Sequence, residues 1–208
     1  MNPGPVRGPR LLAAALVLIG LFAAGSGLGS RTGFSFGDLW HSRAEPPPAE
    51  FPVLDPSQPR RIRIPSIGVS APVHAVGTDP DGGIATAALT QRNEAGWYRD
   101  GPSPGQYGPA IIVGHVDTKD SPAVFHRLKE LRPGARVEVV RRDRRVAVFE
   151  VNSVEQFDKR GLPAGKVYQD FSRPSLRLIT CGGDWVGGET GYADNVVAFA
   201  SLIDTYKS

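Results

Sequence analysis

Short apolar runs separated by turn residues fill the chain from about residue 59 to its end. The stretch RIRIP alternates apolar and polar positions, so Ile62 and Ile64 share one face of a predicted strand. IGVSAPV follows it, and the wholly apolar AIIVG at 110–114 is typical of a buried strand. LRLIT and NVVAFAS are two further apolar strands near the C-terminus. This many short strands predicts a mostly-β barrel or sandwich.

A charged turn separates two of the predicted strands. RRDRR lies between ARVEVV and RVAVFEV, a pattern that indicates a hairpin. The basic residues of its tip are Arg141, Arg142, Arg144 and Arg145. We expect this tip to be exposed, either as a solvated turn or as a contact for anionic lipid or wall polymer.

One segment has helical rather than strand periodicity. Ser121 can cap its start, Pro122 suits a first helical turn, and Pro133-Gly134 ends it. Its apolar positions, three and four residues apart, are Val124, Phe125, Leu128 and Leu131. We therefore expect one or two short helices beside the strands.

Residues 11–29 form an apolar run without a charged side chain. At 1.5 Å per residue, this run makes a helix of roughly 28 Å, close to the thickness of a bilayer core. Residues 1–10 contain two arginines and no acidic residue, which predicts a cytoplasmic N-terminus and an exported remainder. The run is long for a cleaved signal peptide, so we predict a single-pass transmembrane anchor in the cell membrane.

A proline-rich segment follows the predicted anchor. RAEPPPAEFPVLDPSQP is polar and has no periodicity, so residues 30–58 are predicted to be a semi-rigid tether. The strand-rich residues 59–208 are then the folded, extracytoplasmic domain.

Composition and motif spacing narrow the function classes. A formal net charge of +3 is too small to indicate nucleic-acid binding. The single cysteine, Cys181, excludes an internal disulfide. His115 and Asp117 form an H-x-D pattern, and Asp117 could orient the imidazole or be a solvated loop residue. A metal site needs three or more convergent ligands, so we expect no metal and no cofactor.

Cys181 lies where an apolar strand meets Gly182-Gly183. A free thiol in an exported protein is either buried as a small hydrophobe or used chemically, and adjacent glycines leave space for another backbone to approach. A thiol nucleophile needs a base or an imidazolium partner. Among the four histidines, His115 is the one that follows a buried strand and a glycine. We hypothesise that it meets Cys181 at one groove.

The stretches around these two residues, IIVGHVDT at His115 and LRLITCGG at Cys181, together resemble the sortases, the membrane-anchored cysteine transpeptidases of Gram-positive bacteria. IIVGHVDT matches the glycine-histidine step that follows a buried strand in that family, and LIT before the cysteine matches the end of its T-L-x-T-C motif. The similarity runs from RIRIPSIGV to NVVAFA, and the predicted anchor and tether fit it as well. The arrangement looks most like the actinobacterial class F, or the neighbouring class E.

The resemblance implies a sortase-type eight-stranded β-barrel and a defined reaction. A C-terminal sorting motif such as Leu-Pro-x-Thr-Gly would be cleaved between threonine and glycine. Cys181 would be the nucleophile that forms a thioacyl-enzyme, and His115 would donate a proton to the leaving amine and accept one from the incoming amine. The partners would be surface proteins that carry the motif and an amine from a cell-wall precursor or a pilin. The resemblance implies no metal or cofactor.

The chain departs from the family in one respect. Sortases supply an arginine from the strand after the cysteine, but no arginine or lysine occurs from Gly182 to Tyr206. Ala193 stands near the expected place. Our candidates for the oxyanion or substrate role are Asn195 and Arg99, since side-chain amides can stabilise oxyanions.

Other functions fit less well or stay open. L,D-transpeptidases place a histidine close before the cysteine, whereas no histidine occurs here after Phe157. Papain-like enzymes have the cysteine before the histidine, the reverse of the order found here. The missing arginine leaves open a catalytically weak or idle tethered barrel that binds wall polymer or peptide.

Overall fold

The computed structural model describes residues 51–80, 82–188 and 191–208, whose eight strands close into a barrel. The strands are β1 (Pro59–Ile64), β2 (Val69–Val76), β3 (Ala95–Tyr98), β4 (Gly108–Val113), β5 (Arg136–Arg141), β6 (Arg145–Asp158), β7 (Pro174–Gly187) and β8 (Gly191–Lys207). The helical elements are the α-helix α1 (Ala164–Tyr168) and 3₁₀ turns at Pro65–Ile67, Leu89–Gln91, Leu128–Glu130 and Lys159–Gly161. The predicted mostly-β class is confirmed.

The predicted anchor at residues 11–29 lies outside the described residues. Within the described ranges, no helix is long and apolar enough to cross a membrane.

The strands follow the order β1-β2-β3-β4-β7-β8-β6-β5, and β5 pairs with β1 to close the barrel. The β2–β3 and β4–β7 pairs are parallel, and the other neighbours are antiparallel. The predicted hairpin is the β5–β6 pair. The parallel β4–β7 pair sets the position of the candidate site described below.

Two apolar layers lie on opposite faces of the sheet. Ile62 and Ile64 belong to the interior cluster and are completely buried, as their shared face predicted. A second cluster covers the outer face of β4, β7 and β8, and Val167 of α1 packs into it. Its members are Ile111, Val113, Val167, Ile179, Val197 and Phe199. These three strands are therefore apolar on both faces, which explains why their sequences do not alternate.

The segment predicted to be a helix consists of turns and one short 3₁₀ turn. Its apolar residues are buried as expected, namely Val124, Phe125, Leu128 and Leu131. However, the Val124 N–H donates to the carbonyl of Arg92, and the Phe125 N–H donates to that of His115. The N–H groups that follow, such as those of His126 and Leu128, donate three residues back instead of four, so the segment forms turns and not an α-helix.

The basic hairpin tip differs from its prediction at Arg141. This side chain is 1% exposed, and its guanidinium donates to the carbonyl oxygens of Pro104 and Asp55 and to the carboxylate of Asp143. A planar fork of donors suits such a closed set of acceptors. The other three arginines of the tip are exposed, as predicted.

Residues 51–58, the C-terminal part of the predicted tether, pack against the barrel. Leu54 is buried in the interior cluster, and its N–H donates to the carbonyl of Gly105 at 2.9 Å. Gly105 has a φ of 105°, and a Cβ there would lie 2.6 Å from Leu54 Cδ1, so glycine is needed for this contact. The packed region therefore begins before residue 59.

Candidate functional site

The parallel β4–β7 pair brings His115 and Cys181 together. Every pair of register partners in it, such as Val113 and Ile179, has the same offset in the sequence. The Gly114 N–H donates to Ile179 O at 3.0 Å, so the pairing continues past the end of β4. The same register two residues further on places His115 beside Cys181, at a strand spacing of roughly 4.8 Å. Both residues are half-buried and line the same two cavities.

Close backbone packing fixes the chain at the end of β4. The buried Thr180 hydroxyl donates to Gly114 O at 2.7 Å, and the Phe125 N–H donates to His115 O at 3.0 Å. A Cβ at Gly114 would lie 2.6 Å from Val124 Cγ1, so a larger residue does not fit without displacing its neighbours. The packing thus requires glycine before His115, and it holds the backbone of His115 in place.

A backbone carbonyl orients the imidazole of His115. Its Nε2 lies 2.7 Å from the carbonyl oxygen of Ala87, in the connection between β2 and β3. Because a carbonyl oxygen can only accept, Nε2 carries a proton, and Nδ1 is the nitrogen that can exchange one in the neutral ring. Asp117 instead accepts a hydrogen bond from the Tyr192 hydroxyl. That bond raises the pKa of Tyr192 above its ordinary value.

Asn195 lies opposite Cys181 on the antiparallel strand β8. Two residues along these strands, Val197 lies opposite Ile179, and both belong to the outer cluster. Alternation therefore puts Asn195 and Cys181 on the same outer face. His115 extends this row on the other side of the cysteine, so three strands present three polar side chains side by side.

Arg99 lies away from this row. The antiparallel register of β3 and β4 makes Arg99 level with Ala110, five residue positions from His115 along β4, or roughly 17 Å. Its side chain is 60% exposed and lines neither cavity at Cys181.

Cys181 lies within a strand, whereas the sequence predicted a strand end there. β7 continues to Gly187, but its fully buried part stops at Thr180. Beyond that point β7 and β8 form an exposed ribbon with register shifts on either side of Trp185. Gly183 in this ribbon has a φ of 74°, a conformation that favours glycine. The thiol thus lies where the barrel wall passes into the ribbon.

Two cavities meet at Cys181 and His115. The ribbon-side cavity has a volume of about 800 Å³, and its other lining residues include Leu89, Asp117, Lys119, Lys159, Trp185 and Tyr192. The helix-side cavity has a volume of about 400 Å³, and its other lining residues include Asp79, Ile84, Lys159, Leu162, Tyr168 and Asn195. The Trp185 ring, 67% exposed, packs edge-on against Tyr192 with 5.2 Å between centroids. Lys159 is shared by both cavities.

Several groups of this site were not found from the sequence. Thr180 and Trp185 had weak signals, since one precedes the cysteine and the other is an aromatic residue among glycines. Lys159 and the carbonyl of Ala87 had none, because both reach the site from connections between strands. Within residues 51–80, 82–188 and 191–208, no group of three or more histidine, cysteine or acidic side chains could hold a metal ion.

Comparison with known proteins agrees with the barrel fold. A family model described as a sortase domain matches residues 62–203. The structure is similar to sortase C2 of group B Streptococcus pilus island 1, with 19% identity, 69% of this chain and 73% of that chain covered, and a TM-score of 0.54. It is also similar to sortase C-1 from Actinomyces oris, with 21% identity, 73% and 76% covered, and a TM-score of 0.55.

Listeria monocytogenes sortase A is similar as well, with 19% identity, 74% of this chain and 92% of that chain covered, and a TM-score of 0.54. At these identities the structural matches show the fold alone. No curated protein sequence matches the chain.

Proposed function

The chain belongs to the sortase family, a family of cysteine transpeptidases, and we propose that it cleaves a C-terminal sorting motif of the Leu-Pro-x-Thr-Gly type and transfers the cleaved protein to an amine. The observation that carries this proposal is the placement of His115 beside Cys181, at the junction of two cavities. A thiol and an imidazole in this arrangement can perform nucleophilic acyl transfer.

In the proposed reaction, the Cys181 thiolate attacks the carbonyl carbon of the motif's threonine. The carbon–nitrogen bond to glycine breaks, and protonated His115 gives its proton to the leaving amine, which leaves a thioester. An incoming amine then attacks the thioester, His115 takes the proton from that amine, and the thiolate is released. The Ala87 carbonyl stabilises the protonated ring by accepting from Nε2, while Nδ1 exchanges the proton.

The two cavities suggest a division between the two substrates. The oxyanion forms on the acyl donor, so its stabilising donor must face the cavity that holds that peptide. Asn195 lines the helix-side cavity only, which supports placing the sorting motif there. The ribbon-side cavity, framed by Trp185 and Tyr192, is then the approach for the amine. Lys159, which lines both cavities, is a second candidate for the missing arginine's role.

The same proposal includes the location and partners of the protein. Residues 11–29 would anchor it in the cell membrane, with the barrel outside the cytoplasm. Its partners would be surface proteins with a sorting motif and an amine from a cell-wall precursor or a pilin. The proposal also includes membership of class F, or of the neighbouring class E, within the sortase family.

The decisive experiment traps the thioester. The purified full chain is incubated with a fluorogenic sorting-motif peptide, and intact-protein mass spectrometry follows the acyl adduct. Cys181→Ala should form no adduct and show no turnover, whereas His115→Ala should lose nearly all turnover. His126→Ala, which changes an exposed histidine away from both cavities, is the matched control and should behave as wild type. Wild-type turnover in Cys181→Ala would reject the proposal.

A catalytically weak barrel that binds peptide or wall polymer is the second candidate. The absence of arginine and lysine from Gly182 to Tyr206 favours it. Saturable peptide binding without any adduct at Cys181 would identify this alternative.

A further inference from the structure

A separate cavity lies on the outer face of β6, β7 and β8, away from Cys181. Its volume is about 300 Å³, and none of its lining residues lines the two cavities at the thiol. We name it the arginine cavity after its polar lining, which includes Asn152, Glu155, Lys166, Asp170, Arg173, Ser175 and Arg177. It is therefore physically distinct from the candidate catalytic site.

Unpaired hydrogen-bond donors are concentrated in the wall of this cavity. Among the described residues, the buried side-chain polar atoms without a partner are Arg173 Nε, Ser175 Oγ and Arg177 Nε. All three can donate a hydrogen bond. Ser175 is 3% exposed and Arg177 is 4% exposed. A buried donor without an acceptor is costly and rare, so three in one cavity indicate an acceptor that binds there.

Each carboxylate of the cavity has an ion-pair partner, Lys166 for Glu155 and Arg177 for Asp170, but neither accepts a hydrogen bond from the two unpaired arginine Nε groups. Glu155 accepts from Lys166 at 2.6 Å, and Asp170 accepts from the Ser172 hydroxyl at 2.6 Å. Asp170 forms an ion pair with the Arg177 guanidinium at 3.7 Å, a distance too long for a hydrogen bond. Burial lowers the pKa of Arg177, as expected of a cation whose desolvation is not fully offset.

The charges at the cavity also indicate that an anion binds there. The cations at the cavity are Lys166, Arg173 and Arg177, and the anions are Glu155 and Asp170. One positive charge is therefore left over. Arg173 contacts the Phe51 ring, with 5.0 Å from the guanidinium carbon to the centroid, and it shares the charge of Asp170 with Arg177. An added anion would balance the cavity.

We propose that the arginine cavity binds a small phosphate-type oxyanion, which accepts hydrogen bonds from the guanidinium groups of Arg173 and Arg177 and from the Ser175 hydroxyl. Guanidinium donors match phosphate oxygens in both charge and geometry. The binding does not depend on the proposed function, because the site shares no residue with the cavities at Cys181.

Calorimetric titration of the full chain with inorganic phosphate, at constant ionic strength, tests this proposal. Ser175→Ala removes a hydroxyl that has no partner in the protein. It should not lower the melting temperature of the anion-free protein, because it removes an unpaired buried hydroxyl, and it should weaken phosphate binding about tenfold. Arg142→Gln removes an exposed arginine from the hairpin tip and controls for general charge effects. Both this control and Cys181→Ala should bind phosphate as wild type does.

The anion could be free phosphate or the phosphodiester of an anionic lipid headgroup. Glycerophosphoglycerol, a soluble headgroup, distinguishes these sources in the same titration. If the diester binds more tightly than phosphate, the site is assigned to a lipid headgroup; if phosphate binds more tightly, it is assigned to a free anion. Either assignment requires that Ser175→Ala weakens the binding of the tighter ligand. No saturable binding of either ligand would overturn the proposal. Undiminished binding in both Ser175→Ala and Arg173→Gln would overturn it too.

Discussion

The two halves of β7 differ in burial and in pairing, although they belong to one continuous strand. From Pro174 to Thr180 every residue is buried, and from Cys181 to Gly187 every residue is half-buried or exposed. The first half pairs with β4 on one side and β8 on the other. The second half pairs with β8 alone and with register shifts.

This difference shows how one strand can provide both a rigid support and an accessible thiol. Cys181 is the first residue beyond the buried half, so its backbone is fixed by Thr180 while its side chain reaches two cavities. A nucleophile needs a defined position and an open approach. We infer that changes in the first half affect stability, whereas changes at and beyond Cys181 affect activity.

A matched pair of truncations tests this inference with the largest expected effect. Leu178→Ala removes a completely buried side chain from the interior cluster, so we expect a loss of about 2–5 kcal/mol in the free energy of unfolding. Val186→Ala in the ribbon removes a side chain that is 59% exposed, so we expect a change within about 0.5 kcal/mol. Urea denaturation measures both. Equal losses would show that the ribbon belongs to the cooperative core.

Removing the proposed oxyanion donor should lower kcat without lowering stability. Asn195→Ala deletes the amide opposite Cys181, and we expect kcat for a sorting-motif peptide to fall about 100-fold. That factor corresponds to roughly 2.7 kcal/mol in the activation free energy. The nearly isosteric Asn195→Asp, which exchanges a donor for an acceptor, should be no better than alanine.

Lys159→Met separates the two candidates for the missing arginine's role. If the cation that lines both cavities stabilises the oxyanion, Lys159→Met will show the 100-fold loss and Asn195→Ala will not. Melting temperatures of the three variants distinguish a catalytic loss from a folding loss.

The sequence predicted those parts of this molecule whose pattern follows from local rules. Ile62 and Ile64 alternate with polar residues, so their shared buried face was predictable. The β5–β6 hairpin was also predicted, because a charged turn separates two apolar runs. The segment around Phe125 has helical spacing but is not an α-helix, because its first N–H groups bond to other loops and its later ones donate three residues back.

The site was predictable to a similar extent. The histidine and cysteine motifs pointed to His115 and Cys181, but the adjacency of these residues depends on the parallel register of β4 and β7, which no local pattern contains. Arg141 was expected at an exposed tip, and its burial depends on carbonyl groups of Pro104 and Asp55 in other parts of the chain. Long-range pairing is the physical reason for each of these gaps.

The smallest expected effect concerns the contact between the ribbon and the loop after His115. Tyr192→Phe removes the hydroxyl that bonds to Asp117 but keeps the ring that packs on Trp185. We expect kcat/KM to fall a few-fold, since the ribbon loses its hydrogen bond to Asp117, which lines the ribbon-side cavity. Stability should change by less than about 0.5 kcal/mol, because the contact is near the surface.

The pH dependence of this effect identifies its cause. The hydrogen bond to Asp117 raises the pKa of Tyr192 above its usual value of about 10, so the hydroxyl keeps its proton throughout the neutral range. The contact is present below that pKa and is lost as the pH rises through it. The ratio of wild-type to Tyr192→Phe activity should therefore be constant from about pH 6 to 9. A ratio that falls toward one within that range would mean that a different group controls the ribbon.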